Sequence, residues 1–373
     1  MSEDRQRRGF FAILMPTLEC NMSCSYCFVR HEAGRWSDGQ TDHVLHEVFA
    51  LARREHVDHL RIHWQGGEPL LMGVDYWART LERAGALAAA SGIETEQVMQ
   101  TNLTLYEPAL APLVREHLGG RLGTSFEEHD RTIGEDRDYV REWKASLDAA
   151  RSDGIEVGVL TLLRPWMLGE DGGKYLDGLS RRYALSGVRI TLPFATSNGR
   201  GGFLDPAQAG RFLVEAYSFW EDGGGDDRLR VKPFAFLRSL LTGTDPREHG
   251  LCFFALNCAS VGLAVTPEGN VTLCDNFATD PAWEPFGNLF ESTLATVYDG
   301  TVRARIRAAV SDLICSECLE CDHLALCNGG CLARSVPGPG GRPRFHYCVT
   351  YRMLFDEIRR RASRRGRSGA GGS

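Results

Sequence analysis

Cys20, Cys24 and Cys27 fall within one short stretch, Cys20-Asn-Met-Ser-Cys24-Ser-Tyr-Cys27, followed by Phe28. Three thiols at that spacing can hold three irons of a [4Fe–4S] cube. Thiolates are the soft ligands such a cube needs, and a loop this short can wrap one of its faces. The fourth iron would then lack a protein ligand, which suggests that an external molecule binds there. A structural zinc site is the competing reading, but zinc normally closes with four ligands in two close pairs. A second stretch, Gln65-Gly66-Gly67-Glu68-Pro69, ends an apolar run. Its glycines let the backbone come close to a ligand.

The cysteine spacing, with Tyr26 just before the last thiol, resembles the motif of the radical S-adenosylmethionine (SAM) superfamily, and Gly66-Gly67-Glu68-Pro69 resembles that family's GGEP motif. The resemblance implies that SAM chelates the open iron and is cleaved to a 5′-deoxyadenosyl radical. It further implies that the GGEP turn lines the methionine part of SAM, with Glu68 pairing with the ammonium or orienting the turn. Asn102 and Ser125 end later strands, where their side chains would reach ribose hydroxyls. Many relatives carry Asn-Gly and Ser-hydrophobe-Asp-Gly there, whereas this chain has Asn102-Leu103 and Ser125-Phe126-Glu127-Glu128.

These residues need a scaffold that brings strand ends together. Periodicity predicts strands over 10–17, 59–64, 97–103, 122–126, 156–163 and 188–193. Helices are predicted over 41–55, 76–90, 108–117, 139–151, 174–184 and 207–220. Such alternation means parallel βα units and an α/β fold. Six units make a partial (β/α)6 TIM-like barrel of the kind the superfamily uses, with its active site at the C-terminal strand ends. The cysteine loop and the GGEP turn both fall there.

From Cys252 on the composition changes, and nine of the twelve cysteines lie between Cys252 and Cys348. Their order resembles the SPASM domain, a small cysteine-rich cap that binds two auxiliary [4Fe–4S] clusters. The resemblance assigns Cys252, Cys258, Cys274 and Cys331 to the first and Cys318, Cys321, Cys327 and Cys348 to the second. Cys315 is left over, as a spare or alternative ligand in the first reading and a catalytic hydrogen donor in the second. Pro267-Glu268-Gly269 reads as a hairpin turn that would bring Cys258 and Cys274 together. Asp275 corresponds to a proposed catalytic base of anaerobic sulfatase-maturating enzymes, which the cysteine spacing resembles most. Asp280, His129 and Glu127 are weaker candidates near the barrel mouth. The expected organisation is a radical SAM barrel over 8–222, a connecting segment over 223–250, a SPASM domain with a C-terminal helix over 251–362 and a disordered tail over 363–373.

A chain of 373 residues, 43% hydrophobic and 24% charged, has ordinary globular composition, and its net charge of −7 argues against a nucleic-acid partner. No apolar stretch is long enough for a membrane span, and the absence of a secretion signal points to reduced thiols in the cytoplasm. The expected cofactors are three [4Fe–4S] clusters and SAM, with an external electron donor such as flavodoxin or ferredoxin. Two auxiliary clusters favour net oxidation. The leading expectation is a maturase that crosslinks or dehydrogenates a ribosomal precursor peptide. About nine residues precede the first strand, so leader recognition would need a separate protein. Oxidation or epimerisation of a small natural product such as an aminocyclitol or sugar is the alternative, with Glu127 and Glu128 binding amines. Sulfatase maturation stands third.

Overall fold

The computed structural model describes residues 8–134, 137–197, 199, 201–242 and 257–369. Cys252, the 243–250 end of the connecting segment and the last four residues lie outside them. Strand and helix alternate through Gly9–Leu14 (β1), Asp38–Arg54 (α1), His59–Trp64 (β2), Val74–Ser91 (α2), Glu94–Thr101 (β3), Ala111–His117 (α3), Arg121–Ser125 (β4), Tyr139–Ser152 (α4), Glu156–Leu162 (β5), Gly172–Arg182 (α5), Gly187–Thr191 (β6) and Pro206–Asp222 (α6). Next come Arg230–Lys232 (β7), Phe234–Thr242 (α7), the hairpin Gly262–Val265 (β8) and Asn270–Thr272 (β9), and Gly287–Asn288 (β10). Leu294–Tyr298 (α8), Thr301–Ser311 (α9), Ser316–Leu319 (α10) and Leu324–Cys327 (α11) precede a small ribbon, Ser335–Pro337 (β11) with Pro343–Phe345 (β12), and a long last helix, Cys348–Gly369 (α12).

By contact the chain divides into two compact units, Met1–Val157 with Thr196–Gly201 and Cys258–Ala308, and Gly158–Ala195 with Gly202–Asn257 and Ala309–Ser373. In the first, β1 to β4 pair in parallel in chain order. The hairpin extends that same sheet: β8 runs parallel to β1, pairing Phe11 with Gly262 and Leu14 with Val265. Its partner β9 is antiparallel. In the second unit β5, β6 and β7 pair in parallel. Among the described residues neither set closes on itself, so the α/β fold is a partial barrel. No described helix is long and apolar enough to cross a membrane.

Local chemistry accounts for the boundaries. β2 buries Leu60, Ile62 and Trp64 and leaves the residues between them half-buried, the period-two pattern of a strand. Ser37 and Gln40 close a reciprocal capping box that starts α1. The helix predicted over 108–117 splits into a 3-10 turn, Pro108–Leu110, and α3, because Pro112 has no N–H and belongs in a first helical turn. The last helix corrects the expected tail: it continues to Gly369, past the break expected at Ser363. It packs along α6, where Thr350 Oγ1 donates to the Pro206 carbonyl at 2.6 Å, and Gly210 leaves room for Met353.

β3 stops two residues earlier than expected because Leu103 turns into the left-handed region, at φ 69°, with its side chain fully buried. Glycine would take this backbone region without a steric cost; this chain accepts the strain to bury leucine. Leu103→Ala is expected to lose the buried side chain and keep the strain, costing ~2–5 kcal/mol. Leu103→Gly relieves the strain and should unfold later than Leu103→Ala by about 1 kcal/mol. Equilibrium denaturation of the two variants checks this inversion of the usual alanine-over-glycine order.

Candidate cluster and cofactor sites

The loop leaving β1 is pinned at its base and along both flanks. Its base closes where Thr17 bridges Arg35, with Trp36 N donating to the Pro16 carbonyl at 2.9 Å. Glu19, at the same point, accepts from Arg35 at 2.7 Å and from the Gly34 amide, and Arg35 holds its carboxyl below the usual range. On one flank Ser23 N and Ser25 N donate to the Thr132 and Asp130 carbonyls at 2.9 and 3.0 Å. Inside this frame Cys20, Cys24 and Cys27 are half-buried thiols outside any disulfide. Burial pushes the Cys20 thiol up to about 12 and Cys24 to about 11, so metal loading must displace their protons. His31 Nε2 stands 3.5 Å from Cys27 Sγ. A cleft of about 410 Å³ opens beside Cys20, walled by Asn21, His31, Glu32 and Leu71.

The GGEP turn lies directly on the strand exit. Gln65 N, Gly67 N and Glu68 N donate to the carbonyls of Leu14, Thr17 and Glu19 at 2.8–3.1 Å. A methyl on Gly66 would overlap the Thr17 carbonyl oxygen, and one on Gly67 those of Leu18 and Glu19. The two glycines are therefore required for contact with the cysteine loop's own backbone. Glu68 is fully buried and orients this turn. Its carboxylate accepts from Leu70 N at 2.8 Å, Thr101 Oγ1 at 2.7 Å and Asn102 N at 2.6 Å. Burial raises its pKa and outweighs those three donors, which pull the other way. Asn102 reaches the loop as well. Its Nδ2 donates to Asn21 Oδ1 at 2.7 Å and lies 3.9 Å from Cys20 Sγ, while its Oδ1 accepts from Thr104.

Tyr26 has an unexpected partner. Its hydroxyl donates to Glu127, and the same Glu127 oxygen accepts from Arg131 Nε at 2.6 Å. Glu127 is fully buried and the Arg131 side chain is only 8% exposed. The guanidinium also lies over the Tyr26 and Tyr139 rings, 5.7 and 5.8 Å from their centres. Burial pulls Arg131 down, but Tyr26 and Glu127 overcome that and hold it charged; burial also raises Tyr26. This corrects the expectation that Glu127 offers an open carboxylate at the barrel mouth. Ser125 Oγ accepts from Gln100 Nε2 at 2.9 Å, and His129 is exposed.

Two C-terminal thiols belong to the first unit. Cys274 follows β9 and packs with Cys27 and Phe28 on one core of Ile13, Met15, Leu18, Val29 and Ala264. Thr279 Oγ1 donates to the Phe28 carbonyl at 3.2 Å and accepts from Arg30 N at 3.1 Å. Asp275, half-buried, opens the 3-10 turn between them. A second correction concerns Asp280, which accepts from the Ser197 hydroxyl and the Ala282 amide, a structural use of its carboxylate.

The second unit gathers Cys315, Cys318, Cys321, Cys327 and Cys348. Cys315 and Cys318 sulfurs lie 3.4 Å apart. Burial and the neighbouring thiols push Cys318 to about 11 and Cys327 to about 12, and Cys348 is raised by burial beside Cys321 and Cys315. Cys331, also in this unit, has Arg334 Nη1 3.7 Å from its sulfur.

Residues 14–172 match the radical SAM superfamily, and residues 252–322 match the SPASM iron–sulfur cluster-binding domain. The chain is a radical SAM enzyme with a SPASM domain. Its cofactors are accordingly iron–sulfur clusters and SAM. It is 26% identical to the serine-type anaerobic sulfatase-maturating enzyme of Klebsiella aerogenes, over 93% of this chain and 85% of that one. It is 22% identical to the cysteine-type enzyme of Clostridium perfringens, over 90% and 92%. In fold it resembles native anSMEcpe with bound AdoMet and Cp18Cys peptide, with a TM-score of 0.77 and 20% identity over 94% of this chain and 97% of that one. Streptococcus suis SuiB bound to precursor peptide SuiA gives a TM-score of 0.62 and 14% identity over 92% and 76%.

In this radical SAM enzyme the structure brings Tyr26, Gly66, Gly67, Glu68 and Asn102 onto the cysteine loop or against its supports. Reading the sequence missed Asn21, Thr104, Arg131 and Thr279. The first three are short-range neighbours of motif residues; Thr279 carries no sequence signal at all.

Proposed function

We propose that this enzyme removes two hydrogens from a side-chain carbon of a residue within a peptide substrate; the relatives it matches are named as serine-type and cysteine-type anaerobic sulfatase-maturating enzymes. The observation that carries this reading is the match to those relatives across both cluster-binding domains, over 93% of the chain. Cys20, Cys24 and Cys27 hold the SAM-binding cluster; the sets led by Cys252 and by Cys318 hold two auxiliary clusters, making three. When bound, these groups supply a 5′-deoxyadenosyl radical and an electron sink. The chain's own residues do the rest. Gly66 and Gly67 keep the turn flat on the loop so that its backbone faces the methionine part of SAM. Glu68 orients that turn, Asn102 and Ser125 line the ribose of SAM, and Tyr26 stands beside the cluster end of the site. Asp275 accepts the proton that the substrate releases as it is oxidised. The electron comes from an external donor of the flavodoxin or ferredoxin class. The small-molecule reading loses its support at Glu127, which is spent on Tyr26 and Arg131.

The test is anaerobic incubation of reconstituted enzyme with SAM, reductant and sulfatase-type peptides bearing cysteine or serine, following 5′-deoxyadenosine and peptide mass. An aldehyde-bearing product, trapped with hydroxylamine, supports the reading. A product lighter by two hydrogens but blind to hydroxylamine would replace it with crosslinking. Asp275→Asn is expected to lower product formation ~100-fold or more while deoxyadenosine still appears. Unchanged product would remove Asp275 from the proton transfer.

A further inference from the structure

Five thiols stand where one cube needs four. α10 explains the surplus: Cys315 is its N-cap and Cys318 its third residue, so the two share one face of a single turn. Cys318 N closes that turn onto the Cys315 carbonyl at 3.0 Å, and Cys321 N closes the next onto Cys318 at 3.1 Å. The spacing to Cys327 is fixed from outside. Asn328, Gly329 and Gly330 all take positive φ, and Gly329 lies against the Leu313 and Ile314 backbone, immediately before Cys315. Cys315 is therefore built into the thiol group by the same contacts that place Cys327.

We propose that Cys315 and Cys318 are interchangeable ligands to one corner of the second auxiliary cluster, an inference that rests on the cluster assignment given above. The two sulfurs are 3.4 Å apart, less than twice a metal–thiolate bond of about 2.3 Å. One iron can thus stand at bonding distance from either sulfur without any movement of the backbone. When Cys318 is the thiol not in use, its sulfur rests within hydrogen-bond reach of the Leu313 carbonyl, at 3.9 Å.

The experiment counts iron and acid-labile sulfide per chain after anaerobic reconstitution of the full-length protein and its variants, with circular dichroism to compare helix content. Cys315→Ala and Cys318→Ala are each expected to keep the wild-type iron content. The Cys315→Ala/Cys318→Ala double variant is expected to lose about four irons, as Cys327→Ala does. Loss of the same iron by Cys318→Ala alone overturns the proposal, and so does full iron in the double variant. Full iron in Cys327→Ala would instead bring down the cluster assignment itself, and the inference with it.

Discussion

Arg131→Met is expected to destabilise the protein by ~3–5 kcal/mol, because it strands the fully buried Glu127 carboxylate without its cation. The loss should be largely recovered by adding Glu127→Met, since an apolar pair of similar volume avoids the desolvation cost of both charges. Recovery will be incomplete, because Tyr26 then loses the acceptor for its hydroxyl, at a cost of ~1–3 kcal/mol. Anaerobic denaturation of the single and double variants measures the coupling. Additive losses would show that Glu127 and Arg131 do not act as a pair. The single variant should also bind less iron, since Ser23 and Ser25 hang on Asp130 and Thr132 on either side of Arg131.

Gly67→Ala is expected to abolish SAM cleavage and to cost about 3 kcal/mol in stability. The added methyl would overlap the Leu18 and Glu19 carbonyl oxygens, which are main-chain atoms and cannot rotate aside. Relief requires the turn to lift off, which breaks the bonds from Gly67 N and Glu68 N and lets Cys20 move. Gly73→Ala is the control. Gly73 has a positive φ, 81°, which Gly67 does not, but its methyl would meet nothing within 4 Å, so only backbone strain of ~1–3 kcal/mol with SAM cleavage retained is expected. Equal effects from the two substitutions would mean that the packing of the turn on the loop is unimportant.

The difference between what was legible and what was not follows the range of the interactions. β2 was read to the residue because its burial alternates within six positions. The cysteine and GGEP motifs were read because their chemistry is local and their spacing tight. Glu68 was recognised, but its three donors were not, since two of them come from the end of β3. Glu127 was misjudged for a related reason. A charged residue after a strand reads as exposed, and only the fold reveals that Tyr26 and Arg131 close over it. The hairpin at β8 and β9 was found from its Pro-Glu-Gly turn. Its docking onto β1 was not, because nothing within four consecutive residues says which sheet edge they will join.

That docking governs when the chain can be finished. β1 emerges early from the ribosome, yet its partner β8 and the Thr279 contact to Phe28 and Arg30 come some 250 residues later. At translation rates of roughly 5–20 residues per second, the nascent cysteine loop waits on the order of ten seconds to a minute with one flank missing. Iron delivered during that interval meets thiols on an uncovered strand edge. The surroundings of the cysteine loop are therefore expected to be complete only once β8 and Thr279 have been synthesised and docked.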